Sequence, residues 1–107
     1  MCIRDSPMTL RSPHPDVDIP DIPLSAFVLA RAGTYGNRAA LVDAITGRTA
    51  TFDELRAQVR SVAAGLSRRV IKGDVVAICA PNCPEYAVVF HAVLSAGAIL
   101  TLSLIHI

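Results

Sequence analysis

The fold is decided by residues 74–100, the stretch DVVAICAPNCPEYAVVFHAVLSAGAIL. Its apolar, β-branched run Val75–Cys79 is typical of a strand buried on both faces of a sheet. Pro81 and Pro84 end that run, and Pro84 suits the first turn of a helix, where a missing N–H leaves no hydrogen bond unmade. A second apolar run, Ile99–Leu102, follows the helix.

Between the two apolar runs, large apolar residues recur at steps of three and four, which predicts a helix with one apolar face. That face comprises Tyr86, Val89, Phe90, Val93, Leu94 and Gly97. A strand, a crossover helix and a strand form a βαβ unit with parallel strands. We therefore predict that Val75–Cys79 and Ile99–Thr101 are adjacent parallel strands, packed by Tyr86, Phe90 and Val93.

A first helix is predicted over Leu24–Tyr35. Ser25 is its expected cap, and Gly36 can adopt the left-handed conformation that ends a helix. Its apolar face is formed by Leu24, Phe27, Val28, Ala32 and Tyr35. The runs Leu41–Ile45 and Arg48–Phe52 flank Thr46 and Gly47, which indicates a β-hairpin with a tight turn.

The clearest helical pattern covers Thr51–Arg68. Thr51 and Glu54 form a capping-box signature, in which each side chain bonds to the other residue's backbone N–H. Apolar residues then recur at helical spacing, namely Phe52, Leu55, Val59, Val62 and Leu66. The sequence thus predicts an α/β fold with a β-hairpin, three helices and a parallel βαβ unit. The segment Arg11–Pro23 holds four prolines and is expected to be an extended arm laid over a surface.

Composition excludes several classes of protein. With 107 residues the chain is long enough for one domain, and 52 % hydrophobic residues exclude disorder for most of it. Charged residues make up 18 %, below the roughly one quarter that is usual for soluble domains, so we expect part of its surface to be covered. A net charge of +1 without a basic run gives no indication of a nucleic-acid partner. Cys79 lies in the buried-strand pattern, which favours a reduced, cytoplasmic protein.

A membrane span is the alternative explanation for residues 86–107, which contain no Asp, Glu, Lys or Arg. Polar residues such as His91, Ser95 and Thr101 interrupt this run, and no Lys or Arg flanks either end of it. The preceding strand is equally apolar, as a layered α/β core requires. We therefore expect no membrane span.

No residue forms a recognisable catalytic or metal-binding motif. Neither a Gly-x-Gly-x-x-Gly fingerprint nor a P-loop occurs, and Cys79 and Cys83 lack the second pair that a zinc site needs. Cys83, at the expected cap of the βαβ helix, is the one candidate for a reactive nucleophile, although small-residue packing explains it as well. Glu85 in the first turn complements the helix dipole.

Other polar residues have ordinary structural explanations. His91 is expected to be an interface or core histidine, and His14, between two prolines, a solvated one. Arg56 and Arg60 could form an anion patch, but a solvated helix face explains them more simply. We therefore assign no catalytic, cofactor-binding or metal residue.

The two ends of the chain do not continue the patterns of the segments next to them. The hexapeptides MCIRDS and LSLIHI resemble translated sequencing-adapter read-through. We expect residues 1–6 and 102–107 to be non-native tails and residues 7–101 to form the domain.

Taken together, the arm SPHPDVDIPDIPLSAFVLARAGTYGNRAALVD, the segment TATFDELRAQVRSVAAGL and the stretch KGDVVAICAPNCPEYAVVFHAVLSAGAIL resemble the N-terminus of AMP-forming acyl-CoA synthetases, closest to the 4-coumarate–CoA ligase-like branch of the adenylate-forming superfamily. The resemblance covers about residues 11–101. Two positions depart from the family pattern: the family usually has a Gly near Val70, and it commonly has Ser at Cys83.

The resemblance implies a parent protein that converts a carboxylic acid and ATP to an acyl-adenylate and then to a coenzyme A thioester. Such a parent is expected to use ATP, Mg and CoA. The family's phosphate loop, its adenine and magnesium motif, its ribose-binding Asp and its C-terminal Lys do not occur in this chain. We therefore expect an inactive part of the large N-terminal domain, partnered by the missing remainder of the parent chain. The alternative is a small, self-contained α/β binding module without catalysis.

Overall fold

A computed structural model of the chain describes residues 9–102. The expected tails lie outside the described residues, except that Leu102 ends a strand. The elements follow in chain order: α1 Leu24–Leu29, α2 Ala32–Tyr35, β1 Ala39–Val42, β2 Thr49–Thr51, α3 Phe52–Leu66, β3 Val75–Ile78, α4 Pro84–Ser95 and β4 Ile99–Leu102.

The βαβ unit is present as predicted. Strand β3 pairs in parallel with β4, in a register that runs from Val75 opposite Ile99 to Ile78 opposite Leu102, and α4 connects the two strands. At the start of the sheet, the backbone N–H of Ile99 donates to the Asp74 carbonyl oxygen at 2.7 Å. This bond fixes the strand register next to the turn that leads into β3.

The prediction that the first strand is buried on both faces is wrong for the described residues. Side chains alternate along β3 and β4, so the sheet has two distinct faces. The inner face includes Ile78, which is buried. The other face, which we call the outer sheet face, comprises Val75, Ala77, Ile99 and Thr101, and all four are exposed. Helix α4 covers only one side of the sheet, which leaves the outer sheet face in contact with solvent.

Two further details of this unit differ from the prediction. Cys79 lies beyond the end of β3 and is exposed, so it is not a buried strand residue. On α4 the buried residues are Val88, Ala92 and Val93. Of the three residues predicted to pack the strands, only Val93 is fully buried, whereas Tyr86 and Phe90 are half-buried. The helix is apolar on nearly all sides, so spacing could not identify its inward face.

Helix α4 ends in a Schellman motif at Gly97, whose φ is +81°. The N–H of Ala98 donates to the Val93 carbonyl oxygen at 3.2 Å, and that of Gly97 to the Leu94 carbonyl oxygen at 3.1 Å. A β-carbon at Gly97 would find only ordinary contacts of 3.8 Å with Lys72. Glycine is therefore required here by conformation and not by space.

We expect Gly97→Ala to lower the free energy of unfolding by about 1–2 kcal/mol, the cost of a left-handed conformation for a residue with a β-carbon. The matched control is Gly65→Ala inside α3, where nothing lies within 4 Å of the new β-carbon. It should raise the free energy of unfolding by about 0.5–1 kcal/mol, because alanine is the better helix former. Urea unfolding of both variants measures the two effects, and equal effects would contradict the assigned helix end.

The first predicted helical region consists of two short helices, because α1 ends at Leu29 and α2 begins at Ala32. The N–H of Ala30 donates to the Phe27 carbonyl oxygen at the end of α1, and the N–H of Thr34 donates to the Arg31 carbonyl oxygen at the start of α2. Both bonds link residues three positions apart. Gly36 follows α2 with φ +50°, so the predicted end is confirmed.

The predicted cap of this region is wrong, and its predicted apolar face is confirmed only at Ala32. Ser25 does not cap α1, whose N-cap is Pro23; Ser25 lies inside the helix and is buried. Of the predicted apolar face, Ala32 is buried, whereas Leu24, Phe27, Val28 and Tyr35 are exposed. The arm 11–23 is exposed throughout, so the described part of the chain offers it no surface to cover. In both the arm and α1, apolar side chains such as Val17 and Phe27 face solvent.

The hairpin is confirmed, with shorter strands than predicted. Strands β1 and β2 pair antiparallel, and Val42 lies opposite Thr49. The Asp43 carboxylate accepts hydrogen bonds from the backbone N–H groups of Ile45 at 2.9 Å and Thr46 at 3.2 Å. These bonds lower the pKa of Asp43. A side chain that bonds its own turn therefore holds the loop, as is common for Asp in turns.

The capping box and the core face of α3 are confirmed. The N–H of Glu54 donates to Thr51 Oγ1 at 3.1 Å, and the N–H of Thr51 donates to Glu54 Oε2 at 3.1 Å. Leu55 and Val59 of α3 are buried against Val88 of α4. The partly buried residues Leu29, Ala40, Leu41 and Val62 pack around this cluster. The main core of the described chain therefore lies between α3 and α4.

Candidate functional site

A polar cluster lies at the start of α4. Cys83 is the N-cap, as predicted, and Pro84 follows at the first helical position. Glu85 accepts two hydrogen bonds from Arg48, with Nη1 to Oε1 at 2.6 Å and Nη2 to Oε2 at 2.9 Å. The Arg48 guanidinium thereby lowers the pKa of Glu85 to about 2. This bidentate pair ties the hairpin to α4.

The sequence alone did not predict the Arg48–Glu85 pair, because 37 residues separate its members. Glu85 also lies in the first turn of α4, where a carboxylate complements the helix dipole as predicted. Both side chains are exposed, so the pair's role is to orient the hairpin, and its effect on stability is screened by solvent.

Cys83, the candidate nucleophile, lines a groove of about 360 Å³ between the hairpin loop and the start of α4. The other groove residues are Leu41, Val42, Asp43, Ala44, Ile45, Asn82 and Pro84. Asp43 is held by its own loop, and His91 bonds to Ser25, so neither is placed as a base for the thiol. The Cys83 side chain makes no capping hydrogen bond, and both Cys79 and Cys83 are free thiols. Arg48 and Glu85 both interact with Cys83, but they form a bidentate pair with each other, so the positive charge of Arg48 is balanced beside the thiol.

His91 packs α1 against α4. Its Nδ1 lies 2.9 Å from Ser25 Oγ, and its ring meets Phe90 edge-on with centroids 5.1 Å apart. Burial lowers the pKa of His91. A serine bonded to a histidine is also the first part of a nucleophile–base pair. Ser25, however, is only 3 % exposed, so a substrate could not reach its hydroxyl.

The Ser25–His91 contact therefore positions a helix. The half-buried place of His91 between two helices agrees with the prediction of an interface or core histidine. Ser25 could not be predicted as its partner, because the two residues lie 66 positions apart in the chain. In the sequence, Ser25 has the position of a helix cap. Its burial, which marks it as a contact residue, is visible only in the structure.

We expect acidification to destabilise the chain through His91. Its pKa is lowered in the folded state, so unfolding binds a proton, and stability must fall as the pH drops through the unfolded value near 6.5. Unfolding midpoints in urea between pH 7.5 and 5 measure this dependence. His91→Gln should reduce it, whereas His14→Gln in the exposed arm should leave it unchanged. Equal pH dependence in the two variants would contradict the assignment.

Arg56 and Arg60 line a groove of about 220 Å³ with Leu29, Val59 and Ser95. Ser95 is the last residue of α4, and cations are favoured near the C-terminal carbonyl groups of a helix. Arg56 also packs over Gly33, because its Nη1 would lie 2.7 Å from a β-carbon there. Arg60 is exposed, as the prediction of a solvated helix face requires, whereas Arg56 is half-buried against Gly33.

The remaining candidate is His14 in the arm. His14 is exposed, and its backbone N–H donates to Ser12 Oγ at 3.1 Å. Across residues 9–102, no three His, Cys, Asp or Glu side chains are grouped closely enough to hold a metal ion. Within the same range, every helix is too short or too polar to traverse a lipid bilayer. The described polar contacts hold elements of the fold in place.

The described residues thus form part of an α/β domain with a parallel sheet. The sequence matches the family model of AMP-binding enzymes over residues 28–103, and the chain belongs to that family. It is 40 % identical over 93 residues to a 4-coumarate–CoA ligase of Pinus taeda, a match that covers 85 % of this chain and 17 % of that protein. It is 43 % identical to 4-coumarate–CoA ligase 2 of Oryza sativa subsp. japonica, with 85 % and 16 % covered.

A solved structure supports the same family. An artificially fused adenylation–PCP di-domain NRPS from Klebsiella oxytoca, NpsA-ThdA, superposes with a TM-score of 0.67 and 28 % identity. The superposition covers 74 % of this chain and 15 % of that protein. The fold class and the resemblance to the 4-coumarate–CoA ligase-like branch are therefore confirmed. The chain spans about 17 % of the length of the relatives it matches.

Proposed function

We propose that this chain is a scaffold portion of an AMP-forming acid–CoA ligase and has no activity alone. The observation that carries the proposal is the match to named 4-coumarate–CoA ligases over 85 % of this chain and 17 % of the relative. The described side chains support a structural role, because the polar pairs at Glu85 and His91 join elements of the fold.

The parent protein would join a carboxylic acid to AMP with release of pyrophosphate, and the thiol of CoA would then displace AMP. ATP, Mg and CoA are its proposed cofactors. Magnesium and basic side chains would offset the phosphate charge in the first step. We assign no residue of this chain to these groups, and we place the walls that select the acid in the missing remainder of the parent. The free thiols of Cys79 and Cys83 support a cytoplasmic location.

A self-contained binding module is the second candidate. The groove of about 360 Å³ between the hairpin and α4 favours it, since pockets for small ligands have volumes of this order. This candidate requires the 107-residue chain to be folded and monomeric without the rest of a ligase. A cooperative melt alone is compatible with either candidate, because a scaffold portion with its own α3–α4 core can also unfold cooperatively. Aggregation or a molten state of the isolated chain would count against it.

A segment exchange tests the ligase proposal. The aligned 93-residue segment of the Pinus taeda ligase is replaced by the matching segment of this chain, which gives a protein we call the chimeric ligase. ATP–pyrophosphate exchange with 4-coumarate measures adenylate formation. We expect exchange within about tenfold of the unaltered relative, equivalent to about 1.4 kcal/mol in the barrier. The 107-residue chain assayed in the same way should show none.

Two controls make the result decisive. The relative with its own segment reinserted controls for the cloning junctions. Size-exclusion chromatography and thermal melting establish that the chimeric ligase is folded. A folded, monodisperse chimeric ligase without exchange activity would refute the proposal, because a scaffold segment should be interchangeable between relatives of this similarity.

A further inference from the structure

Arg56 and Arg60 are two cations for which the described chain supplies no counter-ion. Among residues 9–102 neither guanidinium forms an ion pair or a hydrogen bond, in contrast to Arg48, which binds the Glu85 carboxylate. The two arginines are four residues apart on α3, so their side chains leave the same side of the helix. Two neighbouring guanidinium groups without a carboxylate partner favour an anion from outside the chain.

The end of α4 lies beside these arginines but does not use their donors. The carbonyl oxygens of Ala92, Val93 and Leu94 already accept hydrogen bonds from backbone N–H groups at 3.0–3.2 Å. Arg56 is half-buried, and its Nη1 lies 2.7 Å from the place of a β-carbon on Gly33, so the backbone of α2 limits its movement. Packing therefore holds Arg56 while its N–H groups remain available to a ligand.

The two arginines line one of two grooves that adjoin each other. Their groove has a volume of about 220 Å³, and the second has a volume of about 420 Å³. Leu29 and Ser95 line both grooves, so the two meet at these residues. The second groove lies between α1 and the end of α4, and its other lining residues carry no charge, namely Pro23, Ser25, Ala26, Leu94 and Gly97. The result is an apolar groove with a cationic end, in the volume range of sites for small ligands.

We infer that these two grooves, which we call the α1–α4 groove, bind an amphiphile with an apolar chain and an oxyanion head, either a carboxylate or a phosphate. The chain lies along Ala26 and Leu94, and the head accepts hydrogen bonds from Arg56 and Arg60. A neutral apolar ligand would leave both guanidinium groups without an acceptor, and a small anion would leave the apolar part filled with water. The inference goes beyond the proposed function, because it concerns a ligand bound by this chain itself and assigns no step of the ligase reaction.

Isothermal titration calorimetry of the 107-residue chain with octanoate tests the inference. Octanoate combines an apolar chain with a carboxylate that is ionised at neutral pH. We expect saturable binding at one site, with an affinity more than about tenfold higher than that of octan-1-ol, which lacks the charge, or of acetate, which lacks the chain. Octyl phosphate, titrated in the same way, distinguishes the two head groups, and saturable binding of either amphiphile supports the site.

Two pairs of arginines give a matched comparison. Arg56→Gln combined with Arg60→Gln should weaken octanoate binding by more than about tenfold, because the head group loses its charged donors. Arg68→Gln combined with Arg69→Gln removes the same charge from exposed residues that follow α3, and should change the affinity by less than about threefold. Circular dichroism establishes that each variant is folded. If the change at Arg56 prevents folding, Arg60→Gln alone, at an exposed residue, should still weaken binding by about threefold or more.

Ala26→Trp tests the apolar part of the groove. Ala26 is an exposed residue of α1 that lines only this part, so an indole there fills the groove without entering the core. Octanoate binding should weaken by more than about tenfold, because the chain loses the apolar surface that it buries.

Several results would overturn the inference. Equal affinities for octanoate and octan-1-ol would show that the arginines take no part, and equal affinities for octanoate and acetate would show the same of the apolar groove. Equal weakening by both arginine pairs would trace the binding to net charge, and a folded chain that does not bind octanoate or octyl phosphate would have no such site. Because no ligase activity enters these measurements, such results would leave the proposed function standing, and an inactive chimeric ligase would leave the α1–α4 groove standing.

Discussion

Val93→Asp is expected to abolish the cooperative unfolding transition of the chain. Val93 is the largest fully buried side chain among the described residues, and it lies on the inward face of α4. Burying an unpaired carboxylate costs several kcal/mol, and a domain of this size has a total stability of about 5–15 kcal/mol. Urea unfolding followed by far-ultraviolet circular dichroism should show a broad, non-cooperative change.

The matched control for this prediction is Val75→Asp on the outer sheet face. Val75 is exposed in this chain, so its carboxylate would remain in water and the cooperative transition should persist. The reduced strand propensity of Asp lowers stability by at most about 1 kcal/mol. If the two variants unfold alike, the assignment of inner and outer faces is wrong.

Leu55→Ala is expected to lower the free energy of unfolding by about 2–5 kcal/mol. Leu55 is a buried member of the cluster that joins α3 to α4, in contact with Val59 and Val88. Truncation removes apolar contacts and leaves a cavity that the surrounding helices fill only in part. The shift in the urea midpoint, at constant slope of the transition, measures the loss.

Leu10→Ala provides the control, because Leu10 directly precedes the exposed arm and is 94 % exposed. Its replacement should change the free energy of unfolding by less than about 0.5 kcal/mol, as for other surface substitutions. A loss at Leu55 that is no larger than the loss at Leu10 would show that the α3–α4 cluster is not the core of this chain.

Elements with a local chemical signal were predictable from sequence. The capping box at Thr51 and Glu54 marks the start of α3, and the side chains make both expected bonds. Gly36 and Gly97 mark helix ends because a left-handed conformation favours glycine. The parallel pairing of β3 and β4 followed from the order of apolar runs around one helix. These features depend on residues close together in the chain.

The inward faces of α1 and α4 could not be predicted in the same way. Helix α4 is apolar on nearly every side, so periodicity does not distinguish Val88 and Ala92, which are buried, from Phe90, which is half-buried. In α1 the apolar residues Leu24 and Phe27 face solvent in this chain. Hydrophobic residues occur on the surfaces that a protein buries, including surfaces that a different part of the same protein covers. Their spacing therefore does not show which of these surfaces is buried within this chain.

The polar contacts were even less accessible to sequence reasoning. Ser25 meets His91 across 66 residues, and Arg48 meets Glu85 across 37. Neither pair has a spacing rule that could reveal it. The proposed function likewise came from the order of whole segments and not from a site.

The most direct test of the central proposal is to sequence the source DNA across both ends of this reading frame. If the chain is a scaffold portion of an AMP-forming ligase, the coding sequence should continue past Thr101 into a Ser/Thr/Gly-rich loop that ends in a Lys, the group that would hold the phosphates of ATP. If LSLIHI is encoded and a stop codon follows it, the ligase proposal is contradicted, and the chain is a small protein in its own right.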